Sequence, residues 1–174
     1  FFQDPSADSI DVALRFWPDA GCGTHSCNPT ACANPQVPLG SLGDEQHEQQ
    51  LVAAFNARYP GGGTPMSAAL TGATDWCINN QAANKGSEVS VVILLSDGAP
   101  TQCSTNKSAL KNIASNAYSQ ANVLTFAVGL QGSNENLMNA IAQAGQTHQG
   151  YFIGNGNAHD ELLAALKDIQ KNAV

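Results

Sequence analysis

The segment VVILLSDGAPT, from Val91 to Thr101, joins an apolar, β-branched run to a polar turn. The apolar run extends from Val89 to Leu95 and is almost wholly hydrophobic, which is typical of a strand buried on both faces of a parallel sheet. The turn that follows places the carboxylate of Asp97 where the strand ends, with Gly98 and Pro100 shaping the reversal. The sequence therefore predicts a central parallel strand with Asp97 at its carboxyl end.

Strand and helix patterns alternate on both sides of this segment. Further strands are predicted at Ile10 to Trp17, Val37 to Leu39, Val123 to Leu130 and Tyr151 to Gly154. Helices are predicted at Asp44 to Arg58, Thr64 to Asn84, Ser104 to Ala121, Asn134 to Ala144 and Asn157 to Asn172. The first two strands flank the loop Pro18 to Pro35 and are predicted to form a β-hairpin. The remaining order specifies right-handed crossovers, so the expected fold is one α/β domain over residues 1–174, with a doubly wound, mostly parallel, Rossmann-like sheet covered by helices on both faces.

Five cysteines indicate an oxidising compartment. Cys22, Cys27 and Cys32 lie in the hairpin loop, and Cys77 and Cys103 lie further along the chain. A zinc site from Cys22, His25, Cys27 and Cys32 is the alternative, but the second cysteine pair that zinc sites usually have is absent. Disulfides that staple the loop are favoured, with one thiol left free or paired outside this chain. We expect an extracellular, cell-surface or periplasmic location, and a longer precursor, because the first residue is Phe1.

Composition argues against several classes of function. The chain has 174 residues and a formal charge of -7, and its few Lys and Arg residues are scattered, so nucleic acid is a poor partner. No apolar run approaches the roughly 18 residues of a membrane span. The sequence contains no P-loop ending, dinucleotide-binding glycine motif or Gly-x-Ser-x-Gly elbow. We interpret the four histidines as solvated polar residues rather than catalytic bases: His25, His47, His148 and His159. We expect no enzyme activity.

A candidate metal site arises where two loops leave the sheet. The segment Gly61-Gly62-Gly63-Thr64-Pro65-Met66 is predicted to place the Thr64 hydroxyl at the mouth of a helix, with Thr64 as cap and Pro65 in the first helical position. Ligands of doubly wound sheets bind at the carboxyl ends of the strands, where Asp97 also lies. Oxygens from Asp97 and Thr64 suit Mg²⁺ or Mn²⁺. Taken singly, however, Asp97 is typical of a turn and Thr64 of a helix cap.

Three sequence segments resemble those of the von Willebrand factor A domain in type and order: GGGTPMSAAL from Gly61, VVILLSDGAPT from Val91 and VLTFAVGL from Val123. The resemblance covers essentially the whole chain. The loop SCNPTACANPQVPL, from Ser26 to Leu39, is similar to bacterial surface and lipoprotein members. In that family a metal-ion-dependent adhesion site uses an Asp-x-Ser-x-Ser loop, a Thr loop and an Asp loop. The resemblance implies that Thr64 and Asp97 belong to the second and third loops, and that the chain binds a protein or cell-surface ligand through Mg²⁺ or Mn²⁺.

The first of those loops has no match in the chain. Asp4-Pro5-Ser6-Ala7-Asp8 is a near miss that we interpret as a decoy, since no apolar strand precedes it and no full helix follows it. Residues 1–9 better match the end of the family's first helix. The resemblance thus implies that the first strand, its metal loop and most of the first helix are missing from the chain. A metal-free interaction or assembly module with a degenerate site is the alternative function.

A missing central strand has a structural consequence. The strands at Ile10 to Trp17 and Val89 to Leu95 should border a gap, because the family's first strand would lie between them. Unpaired strand edges are costly, so we expect an upstream segment or a second chain to fill that gap. With two of three loops, the chain by itself should bind divalent metal only weakly.

Overall fold

The computed structural model describes residues 1–19, 21–23, 27–59, 61–84, 89–154 and 156–173. Its strands are β1 (Asp11–Leu14), β2 (Val37–Ser41), β3 (Val91–Ser96), β4 (Leu124–Gly129) and β5 (Tyr151–Phe152). Its helices are α1 (Pro29–Ala33), α2 (Glu45–Asn56), α3 (Met66–Ala83), α4 (Lys107–Ala121), α5 (Glu135–Ala144) and α6 (Ala158–Asn172), after a 3-10 turn at Pro5–Ala7. The predicted alternation is confirmed, and α1 is an addition that the sequence patterns did not predict.

Parallel strands β3, β4 and β5 form one sheet in that order. Helices α3, α4 and α5 cover one face, where residues such as Leu70, Leu110 and Met138 are fully buried. Helix α6 covers part of the other face, with Ile169 packed among β4 side chains. The α/β architecture with helices on both faces of a parallel sheet is therefore confirmed.

Strands β1 and β2 form the expected antiparallel hairpin, separate from the parallel sheet. Helix α2 packs on it through Leu51, which is fully buried. His47, also on α2, contradicts its interpretation as solvated, since it is 6% exposed and its Nε2 atom lies 2.8 Å from the carbonyl oxygen of Val12. The imidazole fits because Gly40 leaves room: a Cβ there would lie 2.6 Å from His47 Nδ1.

Strand β3 is at the edge of its sheet, which corrects the expectation of a central strand buried on both faces. Ile93 and Leu95 are 39% and 37% exposed, and among the described residues no strand lies beyond β3. β1 does not pair with β3, and an apolar groove of about 740 Å³ separates them. The two strands thus border a gap, as expected.

Two disulfides anchor the loop between β1 and β2. Cys22 bonds to Cys32, and Cys27 bonds to Cys103, 76 residues away in the sequence. These bridges use every cysteine of the proposed zinc site, and His25 lies outside the described residues. Cys77 is free and buried, and burial raises the pKa of its thiol to about 12. Two disulfides indicate an extracellular or otherwise oxidising environment. Within the described ranges, no helix is long and apolar enough to cross a membrane.

Helix α1 lies directly against α3. A Cβ added to Gly72 would come 2.7 Å from the carbonyl carbon of Cys32 and 2.7 Å from the carbonyl oxygen of Pro29. The absence of a side chain at this position therefore lets the two backbones touch. Since α3 also begins beside Thr64, this contact fixes the disulfide loop relative to the carboxyl end of the sheet.

Candidate ligand site at the carboxyl end of the sheet

Asp97 lies at the exit of β3, in a turn organised by the buried Ser96. The Ser96 hydroxyl donates to the carbonyl oxygen of Gly98 at 3.1 Å, and the Ser96 carbonyl accepts from the backbone N–H of Leu130 at 2.9 Å. These bonds fix the backbone on both sides of Asp97, whose own side chain is exposed. The predicted position of the carboxylate, outside the end of the strand, is the one that the structure shows.

Thr64 does not cap α3, which corrects one expectation from the sequence. The helix begins at Met66, Pro65 is its N-cap residue, and no side chain makes the capping hydrogen bond. Thr64 instead pairs with Thr101, at the end of the Asp97 turn. Its N–H donates to Thr101 Oγ1 at 2.8 Å, and the Thr101 N–H donates back to the Thr64 carbonyl oxygen at 3.2 Å. The structural reason is that α3 begins at Met66 with Pro65 as its N-cap residue, so Thr64 lies one residue before the capping position.

Three loops meet around Asp97. A Cβ built on Gly98 would lie 3.8 Å from Thr64 Oγ1, so the Thr64 hydroxyl faces the turn after Asp97. On the other side, Gly132 has φ of 95° and approaches the Asp97 carbonyl so closely that a Cβ there would lie 2.7 Å from the oxygen. Only glycine is comfortable at that conformation and distance. The structure thus brings Thr64 and Asp97, the two residues predicted to share a site, to the same place.

The segment after Thr101 extends the contact between these loops. The N–H of Ser104 donates to Ser67 Oγ on α3 at 3.0 Å, and Cys103 carries the disulfide to Cys27. Sequence patterns alone predicted no supporting role for Thr101 or Ser67. Nothing in the local sequence distinguishes these two hydroxyls from others in loops and helices, because their role depends on two distant segments meeting.

The free side-chain oxygens at this site fit a hard cation. Within the described residues, neither the carboxylate of Asp97 nor the hydroxyl of Thr64 has a hydrogen-bond or ion-pair partner. One carboxylate and one hydroxyl are ligands that Mg²⁺ and Mn²⁺ accept, with waters in the remaining positions. The described part of the chain holds no cluster of three or more His, Cys, Asp or Glu side chains suited to a metal. A cation here would therefore depend on these two oxygens and on water or ligand oxygens.

The near-miss segment Asp4 to Asp8 lies elsewhere. Asp4 caps the 3-10 turn by accepting from the N–H and hydroxyl of Ser6, at 3.0 and 2.8 Å, and it pairs with Lys167 of α6 at 2.6 Å. Lys167 and the Ser6 donors hold the pKa of Asp4 well below its usual range. The Asp4 carboxylate is thus engaged in fastening the N-terminal turn to α6, in agreement with its interpretation as a decoy.

Comparison with known proteins gives the same family as the three sequence segments that begin at Gly61, Val91 and Val123. No curated protein matches the chain. The family model of the von Willebrand factor type A domain matches residues 30–172, a range that includes β2 to β5, α2 to α6, Thr64 and Asp97. Domains of this family commonly mediate protein binding or adhesion. Because the match spans most of the chain and the α/β architecture agrees with it, the chain belongs to the von Willebrand factor type A domain family.

Proposed function

We propose that this chain is an extracytoplasmic, non-catalytic binding module that engages a protein or cell-surface ligand through a divalent cation, Mg²⁺ or Mn²⁺, held at Asp97 and Thr64. One observation carries the proposal. Asp97 and Thr64 come from two loops that are fixed together by two hydrogen bonds between Thr64 and Thr101, yet the side-chain oxygens of Asp97 and Thr64 have no partner among the described residues. Because these oxygens bond to no other described residue, they are available to a ligand.

A cation held at Asp97 and Thr64 favours an acidic group on the partner. The chain has a net charge of -7, so a carboxylate approaching Asp97 would be repelled unless a cation lay between them. A bound Mg²⁺ or Mn²⁺ supplies that positive charge and a position for the ligand's oxygen. Asp97 contributes the anionic oxygen and Thr64 a neutral one, and the hydrogen bonds between Thr64 and Thr101 hold the two loops together without the cation. An acidic side chain of a protein is therefore the ligand chemistry that this site favours.

Paramagnetic broadening by Mn²⁺ in amide NMR spectra of the chain tests the site directly. Mn²⁺ should first broaden the signals around Thr64 and Asp97, at a concentration of about 1 mM because only two side-chain ligands are present. Asp97→Asn should remove this broadening, since it deletes the anionic oxygen. Asp75→Asn, at an exposed position on α3, is the matched control and should leave it unchanged. Broadening that persists in Asp97→Asn, or its absence in the unsubstituted chain at several times that concentration, would favour the metal-free interaction module instead.

A further inference from the structure

The segments that meet around the candidate site carry no charged side chain apart from Asp97. Lys, Arg, Asp and Glu make up 12% of the chain, yet none occurs from Ala20 to Gly43, from Gly61 to Thr74 or from Gly98 to Asn106. Ser, Thr, Asn and Gln supply the polar groups of these segments instead. The surroundings of Asp97 are therefore locally neutral, although the chain as a whole has a net charge of -7.

The disulfide loop between β1 and β2 is held against the candidate site at two points. Cys27 bonds to Cys103, which lies two residues beyond Thr101. The buried Cys32 of α1 packs with Ala68, in the first turn of α3. Since α3 begins at the candidate site, both contacts fix the loop beside it. The loop is thus a rigid continuation of the surface around Asp97.

Hydroxyl and amide groups are exposed on this surface, which we call the neutral surface: Thr30 of α1, and Thr101, Ser104, Thr105 and Asn106 after the Asp97 turn. The hydroxyls of Thr30, Ser104 and Thr105 have no hydrogen-bond partner among the described residues. Each hydroxyl can donate one hydrogen bond and accept others. The neutral surface therefore offers donors and acceptors to a partner, but no charge.

Gln102 adds an unpaired acceptor next to these residues. Its backbone N–H donates to the Thr64 carbonyl at 3.4 Å, and its side-chain amide lies against Gly63, where a Cβ would come within 2.5 Å of the amide carbon. The Oε1 atom is buried and has no hydrogen-bond partner among the described residues. A buried acceptor without a partner is unfavourable. Because Gln102 is partly exposed, rotation of its amide brings Oε1 to the neutral surface, where a donor can reach it.

We propose that the neutral surface contacts the ligand beside its acidic side chain, and that the ligand is there a polypeptide rich in Ser, Thr, Asn and Gln. This proposal rests on the proposed function, because the neutral surface adjoins the cation. A charged side chain of the ligand would lose water to a surface with no opposite charge. An apolar one would leave hydroxyls unpaired. A polypeptide is favoured over a neutral glycan because the cation requires an anionic oxygen next to these contacts.

Selection of peptides by the 174-residue chain tests the proposal. The probe is a yeast-displayed library of short peptides with one fixed central Glu and random flanking residues. It is sorted at about 1 mM Mn²⁺ with the biotinylated chain on streptavidin, which retains weak binders through multivalency. Lys, Arg, Asp and Glu should be depleted from the flanks about fivefold or more relative to the unsorted library. If the net charge of -7 alone acted, Lys and Arg would be enriched instead.

The outcomes of this selection separate the two proposals. Flanks that keep the composition of the library, or that are enriched in Lys and Arg, would contradict the role of the neutral surface while leaving the cation site in place. Peptides that bind without Mn²⁺, or equally well to Asp97→Asn, would contradict the proposed function. A library that yields no binder would contradict the present proposal, and broadening by Mn²⁺ around Asp97 would still support the cation site.

Variants of the chain test the location. Thr105→Lys places a positive charge on the neutral surface, so Asp and Glu should be about fivefold more frequent in the flanks that it selects than in those selected by the parent chain. Thr30→Lys makes the same test on the disulfide loop. Asn116→Lys adds the same charge at an exposed position further along α4, and should select the same flanks as the parent chain. Unchanged selection by both Thr105→Lys and Thr30→Lys, or an equal change with Asn116→Lys, would overturn the proposal.

Discussion

The carboxylate of Asp19 accepts hydrogen bonds from several groups at the start of the disulfide loop between β1 and β2. Its Oδ1 accepts from Arg15 Nη2 at 2.9 Å and from the N–H groups of Gly21 and Cys22 at 2.9 and 2.7 Å. Its Oδ2 accepts from the Gln36 side chain. Burial on its own raises the pKa of Asp19, but the N–H groups of Cys22 and Gly21 and the charge of Arg15 outweigh it and lower the pKa below the ordinary value of 3.8. The ionised form is thus part of the folded loop.

At the residue scale we predict that Asp19→Asn lowers the free energy of unfolding by about 1–3 kcal/mol at neutral pH, because charge-assisted bonds to a carboxylate that is 12% exposed are lost. The pKa of Asp19 is lower in the folded than in the unfolded chain. Its stabilisation is therefore complete well above pH 3.8 and disappears as the pH falls through the folded pKa. Urea unfolding at a series of pH values should show the two proteins converging in acid.

Asp160 on α6 provides the control for this pH dependence. The pKa of Asp160 is also lowered, through hydrogen bonds from His159 and Asn157, but its side chain is 66% exposed. Solvent screens such a pair, so Asp160→Asn should leave the unfolding free energy close to that of the parent protein. A difference between Asp19→Asn and the parent that stays constant down to about pH 3 would show that the carboxylate stabilises the loop by shape rather than charge.

At the scale of single elements, periodicity was sufficient for the long helices and insufficient for what the loops build. The helix predicted from Asp44 to Arg58 is α2, with Asp44 as its N-cap, because its apolar positions repeat at helical spacing. Helix α1 has only five residues, too few to show a period. It is held by the Cys22–Cys32 bridge and by contact with Gly72, and both depend on parts of the chain that local patterns do not connect.

The disulfides give an element-scale prediction. In the chain-entropy account, the stabilisation by a bridge is a constant plus a part that rises with the logarithm of the number of residues in the loop that it closes. The separations are 76 residues for Cys27–Cys103 and 10 for Cys22–Cys32. Replacing both cysteines of a pair by alanine should therefore cost about 4.5 kcal/mol for the first and about 2.7 kcal/mol for the second. Denaturant unfolding of the two double variants measures the difference.

The same two variants also distinguish an effect on stability from an effect on the structure of the candidate ligand site. Cys103 lies two residues beyond Thr101, so loss of its bridge should shift the amide signals of Thr64 and Thr101. Loss of Cys22–Cys32 should leave these signals in place, because that bridge closes within the hairpin loop. The reverse order of stabilities, or equal shifts in both variants, would contradict this assignment of roles.

At the scale of the whole molecule, the sequence and the structure differ in an informative way. The run Val89 to Leu95 has no polar alternation, so it predicts a strand with apolar neighbours on both faces and both edges. In the structure β3 has a strand on one edge only, and Ile93 and Leu95 are partly exposed. The parallel pairing of β3, β4 and β5 was predictable from the helix crossovers. The composition of a strand indicates the surroundings to which it is suited. Among the described residues β4 supplies those surroundings on one edge of β3, and the other edge borders the groove.

Amide hydrogen exchange across the sheet should show this half-paired state residue by residue. In β3, the amides of Val92 and Leu94 donate toward β4 and should exchange roughly a thousandfold more slowly than those of Val91 and Ile93, which face the groove. An N–H that is bonded within the sheet exchanges only when the sheet opens, whereas an N–H that faces the groove exchanges without such an opening.

Strand β4 provides the internal reference for that measurement. Consecutive amides there are bonded to opposite sides: Thr125 donates to the Gly145 carbonyl at 3.1 Å, and Phe126 faces β3 in the parallel register. Both should be protected, so β4 should show no alternation where β3 does. Uniform protection along β3 in the isolated chain would mean that its outer edge is already paired, and the groove would then not be open to a strand.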